Sequence, residues 1–382
     1  KYLHRENAGF RVGDRVYPEN TKISFIACGK AAAAQAKAVI AWAGNQLQNG
    51  LVIPPAPVEW NWPPEVAVHV ASHPTPSDRS ESAAAKAFEL SEAVGPEGLL
   101  LACISGGASA LLAAPRPPLN LNEQVLITKE LLKSGVDIRI MNILRQQFSL
   151  IKGGGLAGGV SGRVETLIYS DIETESLDLI GSGPTLPMQR NQGEIIAQWE
   201  STQPLLNLPP KLQLKCDQLV RSEKNAPKNN QTNDAILCAS PQTLKAIACA
   251  IAEESGFVIA PTQNASYGTS MDEVVQTIVE TANALKRDSI KQATPMLAIW
   301  VREPALRVSR LGHGGRNSHL ALLVAKKLEG MTGVTFLSAG SDGIDGSSEF
   351  AGACVSSQSW AEGVTRNLNP EKLLSQFDSA DF

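Results

Sequence analysis

The stretch Leu99-Leu100-Leu101-Ala102-Cys103-Ile104-Ser105-Gly106-Gly107-Ala108-Ser109-Ala110-Leu111-Leu112 decides the fold class. A short, wholly apolar run reads as a strand buried on both faces, and the Ser-Gly-Gly turn after it opens into helix-compatible residues. The same rhythm extends outward. Upstream, Ile23–Cys28 precedes the Ala-rich stretch Ala31–Leu47, and Val66–Ala71 precedes Ser80–Val94. Downstream come a helix over Asn122–Ser134, with Asn122 as N-cap and Gly135 as the C′ residue, and a strand over Val164–Ser170. This alternation predicts an α/β fold with mainly parallel sheets, in which ligands bind beyond the carboxyl ends of the strands.

The pattern weakens after Pro187, and the polar run Lys224–Asp234 reads as a surface loop near a domain boundary. A second α/β unit follows. Strands are expected over Ala235–Ala239, Phe257–Ala260, Met296–Val301 and Val334–Ser338, and helices over Gln242–Ser255, Asp272–Lys286 and Asn317–Leu328. The length of 382 residues agrees, since at ~150 residues per domain it suggests about 2.5 domains. A net charge of −4 argues against a nucleic-acid partner. The longest apolar run, Leu99–Pro115, is broken by glycine and serine and is shorter than the ~20 residues of a membrane span. The six cysteines include no C-x-x-C pair, so they read as reduced, small core residues. The five histidines form no H-x-x-x-H helix pair, and each reads as a structural residue.

Chemistry is expected in the loops that follow the strands. Lys30, after Cys28-Gly29, sits at a helix entry, where its charge can stand beside a bound phosphate. Ser105-Gly106-Gly107-Ala108-Ser109 offers backbone N–H groups and a hydroxyl as an anion cradle. A third region gathers Asn142, Arg145, Lys152 with its three following glycines, Asp171, and Ser182-Gly183-Pro184-Thr185. In the second half, Gly314-Gly315-Arg316-Asn317 carries a guanidinium fork, and Asp342 and Asp345 could hold a divalent cation with waters. G-x-G-x-x-G and the Walker A pattern are both absent, and no nucleophilic triad suggests itself.

Taken together, these stretches resemble the glycerate 2-kinases of the class whose C-terminal part is called MOFRL. The resemblance rests on Gly29-Lys30-Ala31-Ala32, His73-Pro74-Thr75-Pro76 with Asp78, Ile104-Ser105-Gly106-Gly107, Met141-Asn142 with Arg145, and Ile151-Lys152-Gly153-Gly154-Gly155. Ser170-Asp171, Ser182-Gly183-Pro184-Thr185, Gly314-Gly315-Arg316-Asn317 and Asp342-Gly343-Ile344-Asp345-Gly346 complete it. The triple glycine looks like the animal branch.

The resemblance implies ATP- and Mg²⁺-dependent phosphorylation of the 2-hydroxyl of D-glycerate, giving 2-phosphoglycerate and ADP. It implies a Rossmann-like larger domain over residues 1–190, a connecting region over 191–234 and a MOFRL-type domain over 235–382, with the active site in the interdomain cleft. Lys30 and Arg316 correspond to the catalytic charges. Ser105, Gly106, Gly107, Ser109, Asn142, Arg145, Lys152, Asp171, Gly183, Gly314, Gly315 and Asn317 are expected to bind substrate or nucleotide, and Asp342 and Asp345 the metal. A small-molecule substrate, no nucleic acid or membrane partner, a monomer or homodimer, and a cytoplasmic location (mitochondrial as the alternative) complete the expectation. The chain starts without Met and ends where the family's pattern continues, so further residues are expected at both ends.

Ala108, Glu175-Ser176, Arg302, Ser318-His319 and Ser347 depart from the family's usual residues. They favour a second reading, a diverged member that binds a nucleotide or phosphorylated metabolite without turnover. An NAD-linked oxidoreductase would need a dinucleotide fingerprint that the chain lacks.

Overall fold

The computed structural model describes residues 2–6, 9–171, 176–187, 191–222, 234–262, 270–302, 306 and 312–382. The chain divides into two compact units, Lys1–Ser240 and Pro241–Phe382.

The first unit opens with an antiparallel meander, β1 (Leu3–Glu6), β2 (Gly9–Val12) and β3 (Arg15–Pro18). Then come β4 (Lys22–Cys28), α1 (Ala32–Ala43), β5 (Leu47–Ile53), β6 (Val66–Val68), α2 (Asp78–Glu92) and β7 (Gly98–Ser105). The helices α3 (Ala108–Leu111), α4 (Leu121–Lys133) and α5 (Ile138–Gln147), strand β8 (Arg163–Tyr169), helices α6 (Gln192–Thr202) and α7 (Pro210–Arg221), and strand β9 (Asp234–Ala239) complete it.

Strands β4 to β9 form one six-stranded sheet in the order β6-β5-β4-β7-β8-β9, parallel at every pairing. Counted from β4, this is the doubly-wound order 3-2-1-4-5-6. The unbroken apolar run of β7 is explained by burial on both faces. Leu100 and Ile104 pack with Ala83, Ala84 and Ala87 of α2, whereas Leu99, Leu101 and Cys103 pack with Ala36, Val39 and Trp42 of α1 and with Phe10 of the meander. Glu165, 1 % exposed on β8, ties the meander to the sheet by accepting from Arg15 Nη1 at 3.0 Å and from the Tyr17 hydroxyl.

Helices α4 to α7 make their own core around Trp199, whose ring meets Phe148 edge-on at 5.7 Å. Residues 191–222 therefore belong to the first unit, not to a connecting region, and β9, expected to begin the second domain, is the sixth strand of the first sheet. The boundary falls after Ser240. Residues 224–233 of the expected polar loop and Glu175 lie outside the described residues, and Asp234 is the first residue of β9.

The second unit contains α8 (Pro241–Glu254), β10 (Val258–Ile259), α9 (Met271–Gln292), β11 (Met296–Leu297), α10 (Arg316–Leu328), β12 (Thr335–Ala339), β13 (Gly352–Ser356), α11 (Ser359–Thr365) and α12 (Pro370–Gln376). β10 pairs with β11 in parallel, and β12 with β13 antiparallel. Its core surrounds α10, where Leu320, Leu322, Val324 and Leu328 meet Val275 and Ile278 of α9, Val355 and Trp360. Among the described residues, no helix is long and apolar enough to cross a membrane.

Candidate active site

In the order β6-β5-β4-β7-β8-β9, the chain leaves β4 toward one side and β7 toward the other, so the loops after these two neighbours part and open a crevice. The two loops are stitched at its base. The Lys30 N–H donates to Gly106 O at 2.9 Å, the Ala31 N–H donates to Ser105 Oγ at 3.1 Å, and the Ser105 hydroxyl donates to Cys28 O at 3.2 Å. Ser105 is 2 % exposed, so its hydroxyl, expected to bind ligand, instead clamps the loops together. The Lys30 side chain stands exposed at the entry of α1.

Gly106 and Gly107 form the turn after β7, and each has a functional side chain against its Cα. A methyl group on Gly106 would lie 2.1 Å from Asp171 Oδ2, and one on Gly107 would lie 3.0 Å from His73 Cδ2 and 3.1 Å from its Nε2. Asp171 follows β8 and His73 follows β6, so residues from the carboxyl ends of β4, β6, β7 and β8 meet on one turn. His73 belongs to this group, although its isolation in the sequence suggested a structural histidine. Its place beyond a strand's carboxyl end, the criterion that selected the other loops, was the available signal.

A second layer lies behind the turn. Ser182 donates its one hydroxyl proton to Asn142 Oδ1 at 3.2 Å, so in the 3.0 Å contact with Ser109 Oγ it is Ser109 that donates. This chain of hydroxyls joins α3 to α5. Gly183 is held in the backbone lock between the triple glycine and the Ser182 turn, where Gly153 N–H donates to Ser182 O and Gly154 N–H to Gly183 O. Lys152, expected to meet substrate, is 4 % exposed and donates to Ser109 O at 2.7 Å and Leu112 O at 3.1 Å. Its ammonium answers the carbonyls at the end of α3 and holds the cradle in place.

Arg145 lies one helical turn after Asn142, on the same face of α5. Its Nε is sealed from solvent and has no hydrogen-bond partner, and burial pulls the guanidinium down to about 10. Among the described residues no carboxylate opposes that shift, as one would for a structural ion pair.

In the second unit Arg316 stands exposed as the first residue of α10, after the Gly314-Gly315 turn. Asp345 is 2 % exposed and spends both oxygens on the start of that helix: Oδ1 accepts from Asn317 N and Nδ2 at 2.9 and 3.1 Å, and Oδ2 from Ser318 N at 2.8 Å. The Asn317 side chain is committed as well, accepting from Ser338 Oγ at 2.8 Å. These two expected binding residues thus set the aim of the helix terminus. Asp342 is exposed in the following turn.

Departures from the family pattern in both units are accommodated locally. His319 Nδ1 pairs with Ser379 Oγ at 2.9 Å and its ring stacks on Phe377, while Ser347 Oγ donates to Gly312 O and accepts from Gly314 N–H. Ser176 accepts from Leu179 N–H in the turn that opens the Leu177–Ser182 segment, and Ala108 is fully packed.

No group of three His, Cys, Asp or Glu side chains able to hold a metal converges among the described residues. The donor set at Asp342 and Asp345 does not fit a protein-held magnesium ion, because both oxygens of Asp345 are engaged by N–H donors at the start of α10. Asp345→Ala is expected to lower stability by about 1–3 kcal/mol, read as a lower Tm, by orphaning buried donors. The magnesium concentration for half-maximal activity should stay unchanged.

Residues 3–215 match the family described as "Domain of unknown function (DUF4147)", and residues 296–382 match the MOFRL family. A putative hydroxypyruvate reductase of Agrobacterium vitis is 31 % identical, covering 93 % of this chain and 91 % of its own length. A glycerate kinase of Danio rerio is 30 % identical (82 % and 71 %), and a D-glycerate 2-kinase of Thermotoga maritima 28 % (94 % and 84 %). The crystal structure of a Thermotoga maritima glycerate kinase superposes with a TM-score of 0.80 at 26 % identity, over 94 % of this chain and 85 % of that one. With a matching family over more than half its length, a 30 %-identical glycerate kinase and the same α/β architecture, the chain belongs to the glycerate 2-kinase family, the proteins that join a DUF4147 region to a MOFRL region.

Proposed function

We propose that the protein transfers the γ-phosphoryl group of ATP to the 2-hydroxyl of D-glycerate, giving 2-phosphoglycerate and ADP. The observation that carries this reading is Arg145, a desolvated guanidinium on α5 one turn from Asn142, in the hydroxyl chain behind the Gly106–Gly107 turn, with no carboxylate among the described residues to balance it. A buried charge of this kind is costly alone, and an anionic ligand supplies what the protein withholds. In this reading the substrate carboxylate meets Arg145, the cradle at Gly106 and Gly107 faces the reacting centre, and Lys30 and Arg316 act on the phosphoryl charge. Phosphoryl transfer asks mainly for positioning and charge neutralisation, which this set can provide without a covalent residue. The carboxylate site would serve hydroxypyruvate equally, so the Agrobacterium relative's name has a physical basis. Reduction, however, needs a dinucleotide cradle, and the turn after β4 carries Gly29-Lys30 in place of G-x-G-x-x-G. Any magnesium ion would enter with the nucleotide phosphates and not in a protein cage. The cytoplasm is the compartment we infer, since all six cysteines are free.

The test is a coupled ADP-release assay with D-glycerate, ATP and Mg²⁺, run beside L-glycerate and beside hydroxypyruvate with NADH or NADPH. ADP release dependent on D-glycerate is the expected result. Pyridine-nucleotide oxidation without ADP release would overturn it. ATP binding with no turnover on any of the acids would favour the diverged binding protein.

A further inference from the structure

Phosphorylating a hydroxyl requires somewhere for its proton to go, and the groups assigned so far are cations, amides or structural hydroxyls. Two side chains face the Gly106–Gly107 turn with proton-accepting atoms: Asp171 against Gly106, and His73 with its Cδ2–Nε2 edge against Gly107. Neither ring nitrogen of His73 makes a hydrogen bond within the described residues, and the side chain is open to the crevice. Three of the chain's other four histidines have partners of their own: His69 Nε2 is bonded to Arg79 O, His313 to Asp381 and His319 to Ser379.

Resting on the phosphoryl-transfer reading above, we propose that His73 is the proton acceptor: Nε2 takes the proton of the acceptor hydroxyl as its oxygen bonds to the γ-phosphorus, and Asp171, across the same turn, steadies the imidazolium formed. The bond from the γ-phosphorus to the bridging oxygen breaks, its electron pair leaves with ADP, and the imidazolium returns its proton to water. A base must be neutral before it acts, and the surroundings of His73 favour that. Partial burial of the ring and the Lys30 cation hold His73 below its ordinary value, while Asp171 pulls it upward. Lys30 and Asp171 are the charged groups that act on it, and they oppose each other. Phosphates bound beside Lys30 would cancel its influence and leave that of Asp171, so donor binding itself raises the basicity of His73. The base is then strengthened when the nucleotide is in place.

Two measurements test this. In the first, the C2–H resonance of His73 is titrated by NMR in the whole protein, alone and with a non-hydrolysable ATP analogue, its assignment given by His73→Gln. A midpoint below the ordinary histidine value that moves upward with nucleotide is expected, and Lys30→Ala should move it upward without nucleotide. A midpoint indifferent to both overturns the proposal. In the second, His73→Gln should lower kcat by about 10²- to 10⁴-fold, the range of general-base catalysis, with little change in ATP affinity and with loss of the acidic limb of the kcat pH profile. A variant within about threefold of the wild type and with the same profile overturns the inference while leaving the kinase reading intact. A wild type that turns over no hydroxy acid overturns both.

Discussion

Replacing Arg316 with alanine should reduce kcat about 10²- to 10³-fold, the cost of losing one preorganised donor to transition-state charge, or ~3–4 kcal/mol. Stability should change little. The side chain is exposed at the first position of α10, and Asp345 and Ser318 cap the helix start. Arg316→Lys should recover only a small part of the rate, since a point charge cannot reproduce the planar fork. Steady-state kinetics with a melting curve on each variant decide the matter. Near-normal kcat in Arg316→Ala would remove this residue from the reaction. A loss of rate accompanied by a fall in Tm would reassign it to holding the helix terminus.

Arg145→Met is expected to separate stability from activity in the opposite way. Removing one partner of a desolvated charge pair costs about 2–5 kcal/mol, so kcat/KM for D-glycerate should fall roughly thirtyfold to a few thousandfold, mainly through KM. The ligand-free protein should nevertheless melt at the same temperature or higher, because methionine fills the space without leaving an uncompensated cation in the interior. D-glycerate should raise the Tm of the wild type and not that of the variant. If the variant melts lower and binds glycerate normally, Arg145 has a protein partner and the anion site lies elsewhere.

Lys152 and Arg145 show how far a linear reading of this site reaches. Both are cations, and both were expected to meet the ligand. In the structure Lys152 is consumed by the carbonyls of Ser109 and Leu112, whereas the Nε of Arg145 has none to meet. Ser105 and Ser109 divide similarly from their expected roles, one into a clamp between loops and the other into a hydroxyl chain with Ser182 and Asn142. The cysteines separate too, with Cys28, Cys103 and Cys216 buried but Cys354 exposed on β13.

What the sequence determined by itself was whatever depends on neighbours along the chain. The strands Lys22–Cys28, Gly98–Ser105 and Arg163–Tyr169, and the helices Asp78–Glu92, Leu121–Lys133 and Arg316–Leu328, are legible because apolar periodicity acts within a few positions, although the N-cap of Leu121–Lys133 is Asn120 and not the expected Asn122. The loops that carry the chemistry follow from the same signal, since in a parallel sheet they lie at the carboxyl ends. The short meander β1–β3, the strand β5 that follows the Ala-rich region and the helices α5 to α7 were missed, because their stability comes from packing on Trp42, Phe25 or Trp199 and not from local pattern. Tertiary structure alone decided the strand order that opens a crevice between β4 and β7 and brings Lys30, His73, Gly106, Gly107 and Asp171 together. It also decided which polar groups the protein consumes for itself, because a buried group must be hydrogen-bonded and its partner can stand tens of residues away, as Ser109 does for Lys152.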